Sequence, residues 1–247
     1  MFDLTGANLA FVEGDTARAA QLYLEGAREG NAMAAANYAY CLRYGIGVTQ
    51  DGAKAKSFYS FAKESDDGEC YYNLAVMYIH GEGVRVNYKT AFSCMRASAA
   101  RGCLEAQLYL GMLYTTGAMF NPDVVGVHKI PTRTTVYRTA DTFLLSGDIP
   151  DLEADEEARF SVTPADAREA FLYFRDAARN KIGSADEIVA KAQYLYAKCF
   201  LDGLGTEIDQ KKGGRIMLLS AKSGSQEALG YLIENNLTPQ MLLGDKP

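Results

Sequence analysis

Two asparagines, Asn37 and Asn73, are the side chains whose type and spacing most directly suggest chemistry. They lie 36 residues apart in similar helical stretches, so a fold that repeats with this period places them in one register. A side-chain amide both donates and accepts hydrogen bonds, and it can pair with a peptide backbone or a terminal carboxylate. The pattern predicts peptide binding. The alternative, in which each amide bonds a neighbouring helix or turn of the protein itself, stays open.

Further polar and aromatic residues are expected on the same helical face. Tyrosine and arginine are frequent anchors at binding surfaces, and the chain has 16 tyrosines and no tryptophan. The predicted peptide- or protein-binding residues are Asn37, Tyr40, Arg43, Tyr44, Glu69, Tyr72, Asn73, Tyr109 and Lys198. His80 and Tyr194 occupy nearby positions of that face. For the tyrosines, packing between helices with the hydroxyl on a partner or water is the alternative.

The residue content argues against catalysis and metal binding. His80 stands at a predicted helix end that favours a cation, and His128 has no cysteine pair or acid beside it. The five cysteines form no CxxC motif, so buried thiols are expected. No phosphate-binding loop, dinucleotide fingerprint or GxSxG motif occurs. We predict a non-enzymatic protein with no cofactor and no metal site; a pocket joining His80, Glu69 and Tyr72 would instead favour an enzyme or small-molecule binder.

Charge and hydropathy restrict the class of partner. The formal net charge is −6 and no basic patch stands out, which argues against a nucleic-acid partner. No stretch of about 18 apolar residues is present, so no membrane span is predicted. The first residues carry the acid Asp3 and no basic region, unlike a signal peptide. We expect a cytoplasmic protein whose partner is another protein or a peptide.

Paired glycines mark a turn that recurs along the chain, and Asp or Asn follows it. The glycine pairs are Gly45 and Gly47, Gly81 and Gly83, and Gly203 and Gly205. The Asp and Asn residues at equivalent positions of the units are Asp15, Asp51, Asn87, Asp123 and Asp209. Glycine suits the end of a helix, and Asp or Asn suits the N-cap of the next. A period of about 36 residues is the size of a helix–turn–helix unit, so the chain is predicted to be a repeat protein.

These marks place the helices in order. They are predicted at about 4–12, 15–29, 32–44, 52–64, 69–80, 88–100, 104–116, 186–201, 210–223 and 226–234. Small apolar residues recur at helical spacing and allow close packing between helices. Thr163 and Pro164 predict the N-cap and first residue of a further helix, with Asp166 in the cap phase. Thr238 and Pro239 predict a short final helix that caps the array.

The period fails once, after Gly117 in the turn of the fourth unit. Asp123 lies at the expected cap position, but the helical pattern returns only near Thr163. The insertion, at about 124–162, has a β-prone and mildly basic first half and an acid run from Asp148 to Glu157. A loop of this length in a compact domain is usually functional or mobile. A solvated, tolerated insertion and a lid or arm over the binding groove are both open interpretations.

The stretch NLAVMYIHGEGVRVNYKTA, from Asn73 to Ala91, resembles the Sel-1-like repeat family, a relative of tetratricopeptide repeats. The third unit carries the family pattern at Asn73, Leu74, Tyr78, Gly81, Gly83, Val84 and Ala91. The second unit carries it at Ala34, Asn37, Gly45, Gly47, Val48, Asp51, Lys54 and Ala55. The resemblance implies an all-α solenoid, an α/α right-handed superhelix of antiparallel helix pairs, whose first helices line the concave side. It also implies an adaptor or scaffold role, and related tetratricopeptide grooves bind peptides through an asparagine in this register.

We therefore expect one repeat domain over residues 1–247. Its units are predicted at about 1–30, 31–66, 67–102, 103–181 with the insertion 124–162, and 182–224, followed by a C-terminal cap at 225–247. The predicted function is a non-enzymatic scaffold or adaptor that binds a protein or peptide in its concave groove. An alternative is a regulatory protein whose insertion occludes the groove or engages a partner. An unrecognised enzyme or small-molecule binder is a less favoured alternative.

Overall fold

The structure, a computed structural model, describes residues 2–63, 67–116, 166–179 and 186–238. Within these ranges all regular elements are α-helices, which confirms the predicted all-α class for this part of the chain. The first six are α1 (Leu4–Val12), α2 (Thr16–Arg28), α3 (Ala32–Tyr44), α4 (Gly52–Ala62), α5 (Gly68–His80) and α6 (Tyr88–Ala100). The others are α7 (Leu104–Thr116), α8 (Ala167–Arg179), α9 (Asp186–Asp202), α10 (Gln210–Lys222) and α11 (Gln226–Glu234). The predicted insertion at 124–162 and the predicted helix beyond Thr238 lie outside the described residues.

The helices fall into two compact units. The first unit holds α1 to α6, in which α1 packs on α2, α3 on α4 and α5 on α6, and each pair contacts the next. The second unit holds α7 to α11, in which α7 packs on α8, α9 on α10 and α10 on α11. A single domain over the whole chain stays a prediction.

An Asp or Asn side chain caps the second helix of most pairs, as the sequence predicts. The N-caps of α2, α4, α6 and α10 are Asp15, Asp51, Asn87 and Asp209. In each, the side-chain Oδ1 accepts the backbone N–H three residues later, at 2.8–3.3 Å. Such a cap satisfies one of the N–H groups that the first helical turn leaves without a partner. The caps of α4, α6 and α10 also donate their own backbone N–H to a carbonyl near the end of the preceding helix, at 2.8–2.9 Å.

The start of α8 corrects one prediction. Thr163 and Pro164 do not begin this helix, because it begins at Ala167 and Asp166 is its cap. The Oδ1 of Asp166 accepts the N–H of Arg168 and of Glu169, at 2.9 and 3.1 Å. Its backbone N–H donates to the Tyr114 carbonyl at 2.9 Å, the same contact that the caps of α4, α6 and α10 make. This contact fixes the start of α8 three residues after the local Thr-Pro signal.

The second position of each Gly-x-Gly turn must be glycine, because another backbone approaches it closely. Gly47, Gly83 and Gly205 have φ of +69°, +64° and +67°, a region that favours glycine. A Cβ at Gly47 would overlap the Thr16 carbonyl, and one at Gly83 would overlap the Gly52 backbone. In both cases the turn lies on the N-terminus of the second helix of the preceding pair. The Gly-x-Gly spacing therefore sets how one helix pair stacks on the next.

The core is built from small side chains that let the helices approach closely. Between α3, α4 and α5 it contains Ala35, Ala36, Ala39, Leu42, Ala55, Tyr59, Ala62, Cys70, Leu74 and Met77. Two fully buried serines add hydrogen bonds at equivalent positions of α6 and α10. Ser98 Oγ donates to the Gly68 carbonyl at 2.7 Å, and Ser220 Oγ donates to the Ala190 carbonyl at 2.6 Å. Each serine joins a second helix to the first helix of its own pair.

Candidate functional site

Asn37 belongs to a buried polar cluster that joins α1, α2 and α3. Its side chain is 1% exposed, and its Nδ2 donates to Asn8 Oδ1 at 3.3 Å. The Tyr23 hydroxyl donates to the same oxygen at 2.8 Å. Burial raises the pKa of Tyr23, so its phenol remains a donor. The amide therefore hydrogen-bonds a neighbouring helix, as the alternative interpretation anticipated; contact with a peptide stays a prediction.

Asn73 belongs to a second buried cluster, which is centred on Arg43. The Arg43 side chain is 3% exposed, and its Nη1 donates to Asn73 Oδ1 at 2.9 Å. Its Nη2 donates to Glu82 Oε1 at 2.9 Å, and its Nε donates to the other carboxylate oxygen. The Asn73 Nδ2 donates to the Glu69 carbonyl at 3.0 Å. This network fixes the end of α3 to α5 and to the Gly81–Gly83 turn that follows α5.

The Glu82 carboxylate accounts for the burial of the Arg43 charge. Burial disfavours a charged guanidinium, but the two-point contact with Glu82 outweighs it and the pKa of Arg43 is raised. The guanidinium also lies 4.9 Å from the centroid of the Tyr44 ring. The Tyr59 hydroxyl is buried near this charge, and burial raises the pKa of that phenol. Arg43 is thus a structural cation whose charge is matched inside the protein.

The remaining predicted residues of the first unit differ in exposure. Tyr40 is 8% exposed and packs on Tyr44, with ring centroids 4.7 Å apart. Tyr44, Glu69 and Tyr72 are partly exposed, and His80, the last residue of α5, is exposed. The first helices α3 and α5 therefore place parts of two tyrosines, one glutamate and one histidine at the surface, although one carboxylate oxygen of Glu69 is buried. We call Tyr44, Glu69, Tyr72 and His80 the α3–α5 surface.

Two predicted residues lie in the second unit. Tyr109 is fully buried in α7. Lys198 in α9 is partly exposed; its Nζ pairs with Asp202 at 2.9 Å and lies 4.9 Å from the centroid of the Tyr231 ring. Burial works against the Lys198 charge, but the hydrogen bond to Asp202 outweighs it and the pKa of the amine is raised. Lys198 thus forms a group of its own with residues of α9 and α11.

The partners of the buried site residues lie outside the set predicted from the sequence. Asn8, Tyr23 and Glu82 complete the two clusters, and none of them was singled out. A signal for Glu82 was present: Arg43 occupies the register that holds Ile79 in the next unit, so a charge replaces an apolar residue. A charge at an apolar register position requires a partner within reach. The candidate partner was Glu82, the glutamate in the nearest turn of the neighbouring unit.

The described residues hold few groups for other chemistry. No group of three or more His, Cys, Asp or Glu side chains among them could hold a metal ion. All five cysteines are free thiols, and burial raises the pKa of Cys41 and of Cys199 to about 12. An apolar recess of about 240 Å³ lies between α2 and α4 and is lined by Ala27, Ser57, Phe58 and Phe61. None of the described helices is long and apolar enough to cross a membrane.

Comparison with known proteins gives one family. A sequence model of the Sel1 repeat matches residues 4–31, 32–67, 68–103, 104–124, 160–181 and 190–225. Chitin synthase regulatory factor 3 of Schizosaccharomyces pombe is 23% identical over 280 residues. That alignment covers 94% of this chain and 28% of the curated relative, so the chain spans less than a third of that protein.

A solved structure shares the fold of this chain. A Sel1 repeat protein from Oxalobacter formigenes matches with a TM-score of 0.64 at 20% identity, over 89% of this chain and 49% of that one. The protective antigen c5321 of uropathogenic Escherichia coli matches with a TM-score of 0.48 at 18% identity, over 95% and 50% of the two chains. The first of these likenesses shows a shared fold. It confirms the predicted solenoid of helix pairs.

Proposed function

Because the chain belongs to the Sel1 repeat family, we propose that it is a non-catalytic scaffold that binds a segment of another protein on the α3–α5 surface. The observation that carries this proposal is the network between consecutive helix pairs. Asn37 bonds Asn8 of the pair before it, and Arg43 bonds Asn73 and Glu82 of the pair after it. The first helices are thereby held in register, and a surface that is ordered before binding loses less entropy when it binds.

The residues of the α3–α5 surface suit a peptide ligand. Tyr44 and Tyr72 offer large rings with a hydroxyl, which combine apolar contact with hydrogen bonding. Glu69 and His80 add polar groups at the edges of the same helices. The buried Arg43 supports Tyr44 from below, since its guanidinium contacts that ring. We propose that Tyr44 and Tyr72 contact the ligand, while Asn37, Tyr40, Arg43 and Asn73 position the helices that carry them.

Other features of the proposal follow from composition and family. A scaffold role without catalysis agrees with membership of the Sel1 repeat family. A net charge of −6 supports a protein rather than a nucleic-acid partner. We also propose a cytoplasmic location. Lys198, with Tyr231 beside it, is proposed as a separate contact point in the second unit.

Affinity capture with quantitative mass spectrometry tests the α3–α5 surface. The wild-type protein is compared with a Tyr44→Ala/Tyr72→Ala variant and with a Gln21→Ala/Arg28→Ala variant, whose changes lie at exposed positions of α2. We expect the tyrosine variant to lose its specific partners by about tenfold or more, as loss of buried tyrosine anchors does. The α2 variant should keep them. Equal capture by all three proteins, with circular dichroism unchanged, would contradict the proposal.

A regulatory role is the second candidate, and the curated match favours it. The relative that aligns with 94% of this chain carries the name of a regulatory factor. The insertion 124–162, which interrupts the repeats, is the proposed regulatory segment. Replacing it with a short Gly-Ser linker should change the set or the affinity of captured partners. An unchanged set at unchanged affinity would count against this role and leave the scaffold proposal in place.

A further inference from the structure

The outer face of α10 is basic, although the protein as a whole is acidic. Its exposed residues are Lys211, Lys212, Arg215, Leu219 and Lys222. At 3.6 residues per turn these five lie within an arc of about 100°. The helix sequence, QKKGGRIMLLSAK, contains no acid. The opposite side, with Gly213, Gly214, Met217, Leu218 and Ser220, is buried. We call the five exposed residues the α10 face.

Internal pairing does not neutralise most cations of the α10 face. Within the described residues, Lys211, Arg215 and Lys222 make no ion pair, whereas Lys54 and Lys198 elsewhere are paired with nearby aspartates. Lys212 lies over the Phe200 ring, with its Nζ 4.3 Å from the centroid. The acids near the two ends of the helix are Glu207, Asp209 and Glu227. Asp209 caps the helix through the Lys212 N–H, and Glu227 accepts from the Ser225 hydroxyl.

Helix stability accounts for Lys222, which lies in the last turn of α10, but not for the cations at the start of the helix. Lys211 and Lys212 are in the first turn of α10, where the positive end of the helix dipole disfavours a positive side chain. Gly213 and Gly214 lower the helix propensity further, and at Gly213 a Cβ would overlap the Leu201 side chain. The arrangement therefore carries an electrostatic cost in the free protein. An acidic ligand would remove that cost.

Leu219 distinguishes this face from a simple solvated basic strip. It is 51% exposed and lies on the arc between Arg215 and Lys212, with partly buried Ile216 beside it. A segment that matches both features must carry carboxylates and at least one apolar side chain. A phosphate backbone would leave Leu219 without an apolar partner, and one exposed leucine offers little area for insertion into lipid.

We propose that the α10 face docks an acidic segment of a partner protein that places an apolar side chain on Leu219. This surface belongs to the second unit, and it is additional to the α3–α5 surface proposed above. It fits a protein that holds two partners, or two segments of one partner, on separate units. Electrostatic attraction to the cations would accelerate the encounter, and the contact with Leu219 would select among acidic segments.

Fluorescence anisotropy with synthetic peptides tests this proposal. The probe is a labelled peptide of repeated Glu-Glu-Leu units, compared with repeated Glu-Glu-Ser units. Lys211→Glu/Arg215→Glu should weaken binding of the first probe by about tenfold or more. Arg18→Glu/Arg28→Glu is the matched control, because it reverses two exposed charges on α2 and makes the same change in net charge. It should bind within about twofold of wild type.

The apolar part of the proposal has its own variant. Leu219→Ser should remove the preference for the leucine probe over the serine probe while leaving a weaker, salt-sensitive affinity for both. Four results would overturn the proposal: no binding by the wild type, equal weakening by the α2 control, equal affinity of the wild type for the two probes, or tighter binding to duplex DNA or phosphatidylglycerol vesicles than to the leucine probe. Each can occur with the α3–α5 surface intact, so the two proposals fail independently.

Discussion

Arg43 is a buried charge in a register position that is apolar in the next unit, where Ile79 occupies it. Its guanidinium hydrogen-bonds Glu82 and Asn73, so the cation links two helix pairs. Removing one partner of such a pair leaves an uncompensated buried charge, which costs more than the pair contributes. Because Glu82 is 34% exposed, water can replace part of what its carboxylate provides.

We predict that Glu82→Gln lowers the free energy of unfolding by about 1–3 kcal/mol. The amide keeps the size of the side chain but removes the charge that matches Arg43. Urea denaturation measures the change. Arg85→Met, at an exposed position on the same turn, is the control and should change stability by less than about 0.5 kcal/mol.

A double substitution separates the pair from its parts. Arg43→Met/Glu82→Met should be less destabilising than the sum of the two single changes. Each single change leaves one charge without its partner, whereas the double variant removes both charges. Additive effects within about 0.3 kcal/mol would show that the two side chains do not interact.

Cysteine reactivity forms a second prediction at this scale. Cys41 and Cys199 are buried with the pKa of each raised to about 12, while Cys94 is only partly buried. The thiolate is the reactive form, so iodoacetamide at pH 8 should modify Cys94 first in the native protein. Raising the pH toward 11 should accelerate the reaction of Cys41 and Cys199, because the pH then approaches the raised pKa of their thiols and increases the fraction of thiolate. Mass spectrometry reads the sites, and rapid native modification of Cys41 at pH 8 would contradict its burial.

Individual side chains were the hardest features to predict. The sequence correctly placed Asn37 and Asn73 in one register, but it could not show that Asn37 donates to Asn8 or that Asn73 accepts from Arg43. Those partners come from other helix pairs, and only stacking brings them near. Burial of Tyr109 has the same origin. Composition and periodicity define which face a residue occupies, whereas its partners depend on the neighbouring unit.

At the scale of elements, local signals were sufficient for most helices. Glycine ends and Asp or Asn caps are properties of a few adjacent residues, so α3, between Asn31 and Gly45, begins and ends where the pattern predicts. The bounds of α6, α7 and α11 also match the predicted ones. The start of α8 is different, since a contact between Asp166 and the Tyr114 carbonyl overrides the local Thr163-Pro164 signal. Tertiary contacts therefore decide a boundary where two caps compete.

The turn glycines give a prediction with an internal control. Gly83→Ala should destabilise the protein by more than about 2 kcal/mol, because the new Cβ meets the Gly52 backbone as well as adopting a positive φ. Gly30→Ala has a positive φ of +86° but meets no atom within 4 Å, so it should cost only about 1 kcal/mol. Thermal or urea unfolding compares the two. Equal costs would show that close approach of the turn does not matter.

At the scale of the whole molecule, the repeat resumes on both sides of the insertion. Asp166 makes to Tyr114 the contact that caps make within uninterrupted pairs, and α7 packs on α8 although a long segment separates them in sequence. Repeat proteins depend mainly on contacts between neighbouring units. The contact between α7 and α8 therefore joins repeat elements that lie on either side of the insertion in sequence.

Replacing residues 124–162 with a short Gly-Ser linker should retain the helical signal per molecule and a cooperative unfolding transition. Circular dichroism at 222 nm and its thermal melt measure both. A loss of more than about a third of the helical signal, or a broad non-cooperative melt, would show that the segment is needed for folding.

The central claim is that a protein partner contacts the α3–α5 surface, and site-specific photo-crosslinking tests it most directly. A benzophenone amino acid replaces Tyr44, Tyr72 or, as the control on α2, the exposed Gln21. We predict that the same partner is crosslinked from positions 44 and 72 and not from position 21. Crosslinking from position 21 alone, or with equal yield from all three positions, would contradict the account.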